Sequence, residues 1–230
     1  MMIDYLQGKI LLPKPLPGLI CDGTLTKATN TGEVEWETAT WCKVLGSFGA
    51  KVQIRAHCLT EIEFRGNPAK FLQGHNLFGT SDPVALFWAF MKRVEQIGGI
   101  LPCSLADMGI SGPLTLAECT FLTRVDATAT FLLESELHVL HAIKSYLVNA
   151  RLRDRGESGM ATPYRSKKLK LMTGVTFGSQ RGKENDYWSI TMYAKGLEIR
   201  EKDHSLPDFM MEDPEVLGYA NGSLRAEVRV

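Results

Sequence analysis

Apolar and polar residues alternate with a period of two along four stretches of this chain, the mark of a half-buried β-strand. In residues 120–131, Leu122, Arg124, Asp126, Thr128 and Thr130 share one face, and Phe121, Val125, Ala127, Ala129 and Phe131 the other. In 187–195, Tyr187, Ser189, Thr191, Tyr193 and Lys195 oppose Trp188, Ile190, Met192 and Ala194. In the last strand Arg225, Glu227 and Arg229 oppose Leu224, Ala226, Val228 and Val230, and in 59–65 Glu61, Glu63 and Arg65 oppose Ile62 and Phe64. The apolar faces are expected to bury against helices, with the polar faces looking the other way.

The remaining pattern fills in the elements. Residues 2–12 read as a strand broken by Pro13, Pro15 and Pro17, and 51–65 as a strand ending near Gly66-Asn67-Pro68. Residues 18–50 hold only short extended pieces. Asp82 and Pro83 open a helix that runs to about Gly98, and a second helix covers Glu134 to about Arg153. The polar segment 154–168 reads as an exposed loop, 170–178 and 186–195 as two strands joined by the Gly178–Asn185 loop. Asp213-Pro214 opens a short helix closing at Gly218, and 222–230 is the final strand. Strands outnumber helices and the two are mixed. The expected fold is α+β, a mainly antiparallel central sheet with helices packed on one face. No repeat or low-complexity linker divides residues 1–230, which are expected to form a single domain. The final strand stops without a turn or tail, as in a chain cut from something longer or a variant with a short C-terminus.

Composition narrows the class. The 230 residues contain no apolar run of about 18 or more, and no basic segment with an apolar core at the start, so neither a membrane span nor a signal peptide is expected. Five cysteines without short repeated spacing suggest reduced thiols in a cytoplasmic protein rather than a zinc or disulfide framework. Lysine plus arginine equals aspartate plus glutamate, 26 each. A zero net charge is not the usual footprint of a DNA-binding domain. Distribution matters more: Arg151, Arg153, Arg155, Arg165, Lys167, Lys168 and Lys170 form a basic stretch, while acidic residues gather elsewhere, as in Glu212-Asp213-Pro-Glu215. Such a stretch can contact phosphates, or can be a solvated helix end and loop.

The polar strand faces bear candidate chemistry. Glu63, Asp126 and Glu227 are carboxylates able to hold a hard divalent cation through oxygen, and such a cation polarises a phosphodiester. Arg124, Lys195 and Arg225 are cations, and Tyr193 is a hydroxyl that can attack phosphorus. A phenol with a pKa near 10 must lose its proton first, which a neighbouring cation favours. Lys195, two residues after Tyr193, is expected on the same strand face. A solvated sheet face bearing surface ion pairs would show the same alternation.

The segment Asn67-Pro-Ala-Lys-Phe-Leu-Gln-Gly-His-Asn-Leu-Phe-Gly-Thr80, after Ile62-Glu63-Phe64, answers to no simple core or capping rule. It closely resembles a segment of the replication initiation proteins of filamentous bacteriophages. Thr123-Arg-Val-Asp-Ala-Thr128, Trp188-Ser-Ile-Thr-Met-Tyr193-Ala-Lys195 and Gly222-Ser-Leu-Arg-Ala-Glu-Val-Arg229 resemble the same family in the same order, as does the opening Met2-Ile-Asp-Tyr. A looser similarity reaches plasmid initiators of the replication-transfer type.

The resemblance implies an HUH-like rolling-circle endonuclease domain that nicks one strand of a supercoiled duplex origin in the host cytoplasm. It implies Tyr193 as nucleophile, with Tyr187 the alternative, and Lys195 and Arg124 offsetting transition-state charge. Mg²⁺ or Mn²⁺ is expected on Asp126, Glu63 and Glu227. DNA contacts are expected from His75, Asn76, Lys70, Arg225, Lys167 and Lys168, with a host helicase and DNA polymerase as partners. The His-hydrophobic-His metal motif of the wider superfamily is absent: the histidines are His57, His75, His138, His141 and His204. His138 and His141, three apart on a helix, are a ligand pair or ordinary helix residues. His75 ligates metal, meets DNA or holds its loop by hydrogen bonding. Two other readings stay open: a non-catalytic nucleic-acid-binding module stacking bases on Tyr187 and Tyr193, and an assembly protein without chemistry.

Overall fold

A computed structural model describes residues 1–150, 162–166, 168–178, 188–201 and 206–230. The chain divides into two compact units, Ile3–Val125 and Met1–Met2 with Asp126–Val230.

The first unit carries β1 (Met2–Leu11, from Ile3 on), β2 (Thr24–Ala28), β3 (Val34–Ala39), β4 (Cys42–Leu45), β5 (Lys51–Cys58) and β6 (Glu61–Gly66). Its helices are α1 (Pro68–Gln73), α2 (Pro83–Gln96) and α3 (Pro113–Glu118), and β7 (Thr120–Leu132) begins in it. The strand order is β4-β5-β6-β1-β7, and β2 and β3 form a separate ribbon. The span expected as one strand over 51–65 is a hairpin, with Cys58 opposite Glu61 and Leu59-Thr60 at the turn. Neither turn residue is Gly, Asn, Asp or Pro, so the usual punctuation is missing. The inward residues Ile54, Ile62, Phe64 and Ile10 pack with Phe87, Phe90, Met91 and Val94 of α2. Asp82 caps α2 by accepting the N–H groups of Val84 and Ala85, each at 3.0 Å, with Pro83 at the first helical position.

The second unit holds the rest of β7, α4 (Glu136–Asn149), β8 (Thr162–Arg165), β9 (Met172–Gly178), β10 (Ser189–Ala194), α5 (Lys195–Glu201), α6 (Asp208–Met211), α7 (Pro214–Asn221) and β11 (Ser223–Arg229). Its strand order is β7-β11-β10-β9-β8. Val139 and Ile143 of α4 bury against Val175, Phe177, Met192 and Leu224. The α+β architecture, with helices on one face of a mainly antiparallel sheet, is therefore the one expected.

Three more expectations are corrected. Part of the 154–168 loop is strand β8, while 151–161 and Lys167 lie outside the described residues. The second strand ends at Ala194, and Lys195 opens α5 instead of continuing the strand. No Ser, Thr, Asp or Asn caps that change, and Gly196 lies one residue beyond it, so alternation alone ran past it. The polar row of β7 does not face solvent: Asp126 is 3% exposed and Thr128 is buried, whereas Phe131 is 51% exposed. Alternation counts residue types, not cover. Asp126 and Thr128 stand opposite the long side chains of Arg229 and Glu227.

Candidate active site

In the second unit, antiparallel register places the expected residues in rows. Tyr193 of β10 lies opposite Arg225 of β11 and Gly174 of β9, and Arg225 lies opposite Thr130 of β7. The next row joins Thr128, Glu227, Thr191 and Thr176, with Thr176 Oγ1 and Thr191 Oγ1 3.2 Å apart. A third joins Asp126, Arg229 and Ser189, with Arg229 Nε 3.6 Å from Asp126 Oδ1. Glu227 is thus diagonal to both Tyr193 and Asp126, a separation of about 7–8 Å between such pairs. Tyr193 is half-buried. A Cβ on Gly174 would come within 2.7 Å of the Met192 carbonyl oxygen and 3.0 Å of Tyr193 Cβ, so glycine lets β9 approach the tyrosine strand closely.

Arg225 is 0% exposed, with Nη2 3.3 Å from Met2 Sδ, so it is covered rather than open to solvent. The Lys195 ammonium is likewise buried, donating to Glu198 Oε2 at 2.6 Å. Lys168 donates to the Arg200 carbonyl at 3.4 Å. Tyr187, Lys167 and His204 lie outside the described residues.

The first unit holds a different set. β5 turns Gln53, Arg55 and His57 outward, β6 turns Glu61, Glu63 and Arg65, and β1 turns Gln7 and Lys9. His57, Glu61 and Glu63 each present a ligand atom, all within 4.8 Å of one another. His57 Nδ1 is 3.9 Å from Glu63 Oε1. The donor set, two carboxylates and an imidazole, suits a divalent cation of Mg²⁺ or Mn²⁺ type. Both carboxylates already carry a protein cation: Arg55 Nε donates to Glu63 Oε2 at 2.5 Å, and Lys9 Nζ is 3.0 Å from Glu61 Oε2. Sequence reasoning found Glu63 but passed over His57 and Glu61. Their signal was the hairpin, which brings position 57 beside position 61 once the turn at 59–60 is recognised.

Arg124 lies in the first unit with its guanidinium carbon 4.3 Å from the Tyr5 ring centroid. His138 belongs to α4, its Nδ1 3.0 Å from Ser135 Oγ at the helix cap.

The 67–80 segment folds around buried Asp4. Asn67 caps α1 by accepting the Lys70 N–H at 2.7 Å, and its own amide donates to Asp4 Oδ1 at 2.5 Å. Asn76 donates to the same carboxylate at 2.8 and 3.2 Å. Gly74 ends the helix with φ 83°, where glycine alone is unstrained, and Gln73 donates to the His75 and Phe78 carbonyls. His75 Nδ1 accepts the Leu77 N–H at 3.3 Å, and Ile3 N–H donates to the Thr80 carbonyl at 3.0 Å. Of the roles open to His75, loop-holding is the one these contacts display.

The five cysteines are free thiols. Burial, then the charge of Asp22, pushes the Cys42 thiol up, and burial followed by Asp107 does the same at Cys103, so neither favours the thiolate.

A family profile for the N-terminal part of the phage "replication-associated protein", the Phage CRI family, matches residues 2–230. The chain belongs to this family. The replication-associated protein of Enterobacteria phage I2-2 is 30% identical over 196 residues, 81% of this chain and 51% of that protein. The chain thus spans about half the length of that curated relative. A rolling-circle replication initiator protein from Geobacillus stearothermophilus is similar at TM-score 0.40 and 10% identity, over 99% of this chain and 72% of that one. Among the described residues of this Phage CRI chain, no helix is long and apolar enough to cross a membrane.

Proposed function

We propose that this chain is the nicking and rejoining domain of a rolling-circle replication initiator acting on the duplex origin of a phage or plasmid in the host cytoplasm. The supporting observation is the β10–β11 register, which sets a half-buried tyrosine, Tyr193, opposite a buried arginine and diagonal to Glu227 in a chain of the phage replication-associated protein family.

In this reading the Tyr193 oxygen attacks the scissile phosphorus. A P–O ester to tyrosine forms as the bond to the 3′ oxygen breaks, and the phenolic proton leaves to solvent or a nearby base. The 5′-phosphate stays on Tyr193, and the freed 3′-hydroxyl primes a host polymerase behind a host helicase. Because the phosphotyrosyl ester stores the bond energy, attack by a later 3′-hydroxyl closes the displaced strand without ATP. Of the two cations expected to offset charge developing on phosphorus, Lys195 belongs to the unit that carries Tyr193, and Arg124 to the other unit.

Glu63, with His57 and Glu61, would hold Mg²⁺ or Mn²⁺, a type of cation able to neutralise phosphodiester charge. Asp126 and Glu227 complete the expected acidic set on the Tyr193 sheet. Lys70, Lys168 and, from the sequence, Lys167 are the proposed phosphate contacts.

Supercoiled plasmid bearing the cognate origin tests this reading. Its conversion to a nicked circle with Mn²⁺, and no conversion with EDTA, is the expected result. Binding of the plasmid without nicking under any divalent cation would favour the non-catalytic module.

A further inference from the structure

The outward face of the first unit carries a cluster that the nicking reading leaves unused. Trp41, just before β4, is half-buried, and two guanidinium groups lie against its indole. Arg55 Cζ is 4.5 Å and Arg65 Cζ 4.2 Å from the ring centroid. Both arginines are held at their other polar edges. Arg55 Nη1 donates to the Ala39 carbonyl at 3.0 Å and its Nε to Glu63, while Arg65 Nε donates to Gln53 Oε1 at 2.7 Å. Their neighbours on the face are Gln7, Lys9, Lys43 and Gln53.

We propose that Trp41, Arg55 and Arg65 form a stacking station for one base of the single-stranded DNA whose phosphate is cut, a role that rests on the nicking reading. The chemistry fits this occupant in three ways. Single strands are gripped by aromatic rings and guanidinium planes interleaved with cations, because every base has a π-face and every linker a negative charge. Here the flat groups are braced before any ligand arrives, so less side-chain freedom is lost on binding. Finally, Arg55 contacts both the indole and Glu63, so a base seated here would lie beside the carboxylate proposed to carry the metal. An acidic peptide would find the cations too, but gains nothing from paired stacking planes set between amide side chains.

The test is an abasic scan of a fluorescently labelled oligonucleotide carrying the origin strand, read by anisotropy at fixed salt, with wild-type protein and with Trp41→Leu and Trp41→Phe. In wild type, an abasic site at one position should weaken binding by about 5- to 150-fold. Trp41→Leu should lose a similar factor on the intact strand, and the same abasic site should then cost it nothing. Trp41→Phe should stay within about threefold of wild type. A flat scan in wild type overturns the proposal whatever the folding of the variants, and so does an abasic penalty undiminished in a folded Trp41→Leu. Covalent capture by wild type, run on the same strand, separates the two readings. Capture with a flat scan removes the stacking station alone, whereas a peaked scan without capture removes nicking and leaves a base-binding face.

Discussion

Replacing Asp4 by alanine should destabilise the protein more than any exposed charge change. Its carboxylate is 5% exposed and accepts amide protons from Asn67 and Asn76, which lie 63 and 72 residues away in sequence. Alanine strands both amides in half-buried surroundings, and each unmet donor costs about 1–3 kcal/mol. Recovery of the carboxylate's own hydration offsets part of this, leaving about 2–4 kcal/mol. For a chain of this size that is a melting temperature lower by about 5–12 °C. Asp4→Asn keeps one carbonyl acceptor and should lose roughly half as much. Thermal melting by circular dichroism measures both. Asn76→Ala should cost less in the Asp4→Ala background than in wild type, because the contact they share is already gone there. An Asp4→Ala protein melting within about 1 °C of wild type, or strictly additive losses with Asn76→Ala, would refute the clamp.

Further outcomes follow from other sites. Gly174→Ala puts a methyl against the Met192 carbonyl and Tyr193. It should lower the rate of covalent capture by about 10²-fold through misplacement on the order of 1 Å, with a smaller change in oligonucleotide affinity. Glu63→Gln should raise the Mn²⁺ concentration for half-maximal capture by about 10–100-fold, with a loss of folding stability of no more than about 1 kcal/mol, since its pair with Arg55 is partly exposed. The Glu95 carboxyl is held below its ordinary value by the Lys92 ammonium and then by the Leu105 N–H. Its contribution is therefore present above the unfolded value near 4.5 and fades as pH falls through the lower folded value. Glu95→Gln should cost about 1 kcal/mol in chemical denaturation at pH 7 and converge with wild type in acid.

How much of this was legible in the sequence varies with the kind of signal. The long strands β1, β7 and β11 and the caps Asp82 and Asp213 were readable because each rests on local chemistry: alternation, or a carboxylate one residue before proline. Helix α1 was not, since its 6 residues are too few for a helical period to show. The family motif around it was recognised as a string of letters, but its physical content, two asparagines reaching a carboxylate far away in sequence, needs the fold. His57 and Glu61 stayed hidden because a turn without glycine or proline reads as continuous strand. The Tyr193–Arg225 pairing depends on register between segments with α5, α6 and α7 between them, and could not be read locally.

The most direct measurement of the central claim is covalent capture. Wild type and Tyr193→Phe would be mixed with a labelled origin oligonucleotide in Mn²⁺ or EDTA and resolved on a denaturing gel. The account predicts a Mn²⁺-dependent protein–DNA band with wild type and none with Tyr193→Phe, whose fold and melting stay unchanged. A band of equal intensity from the folded Tyr193→Phe protein would contradict it.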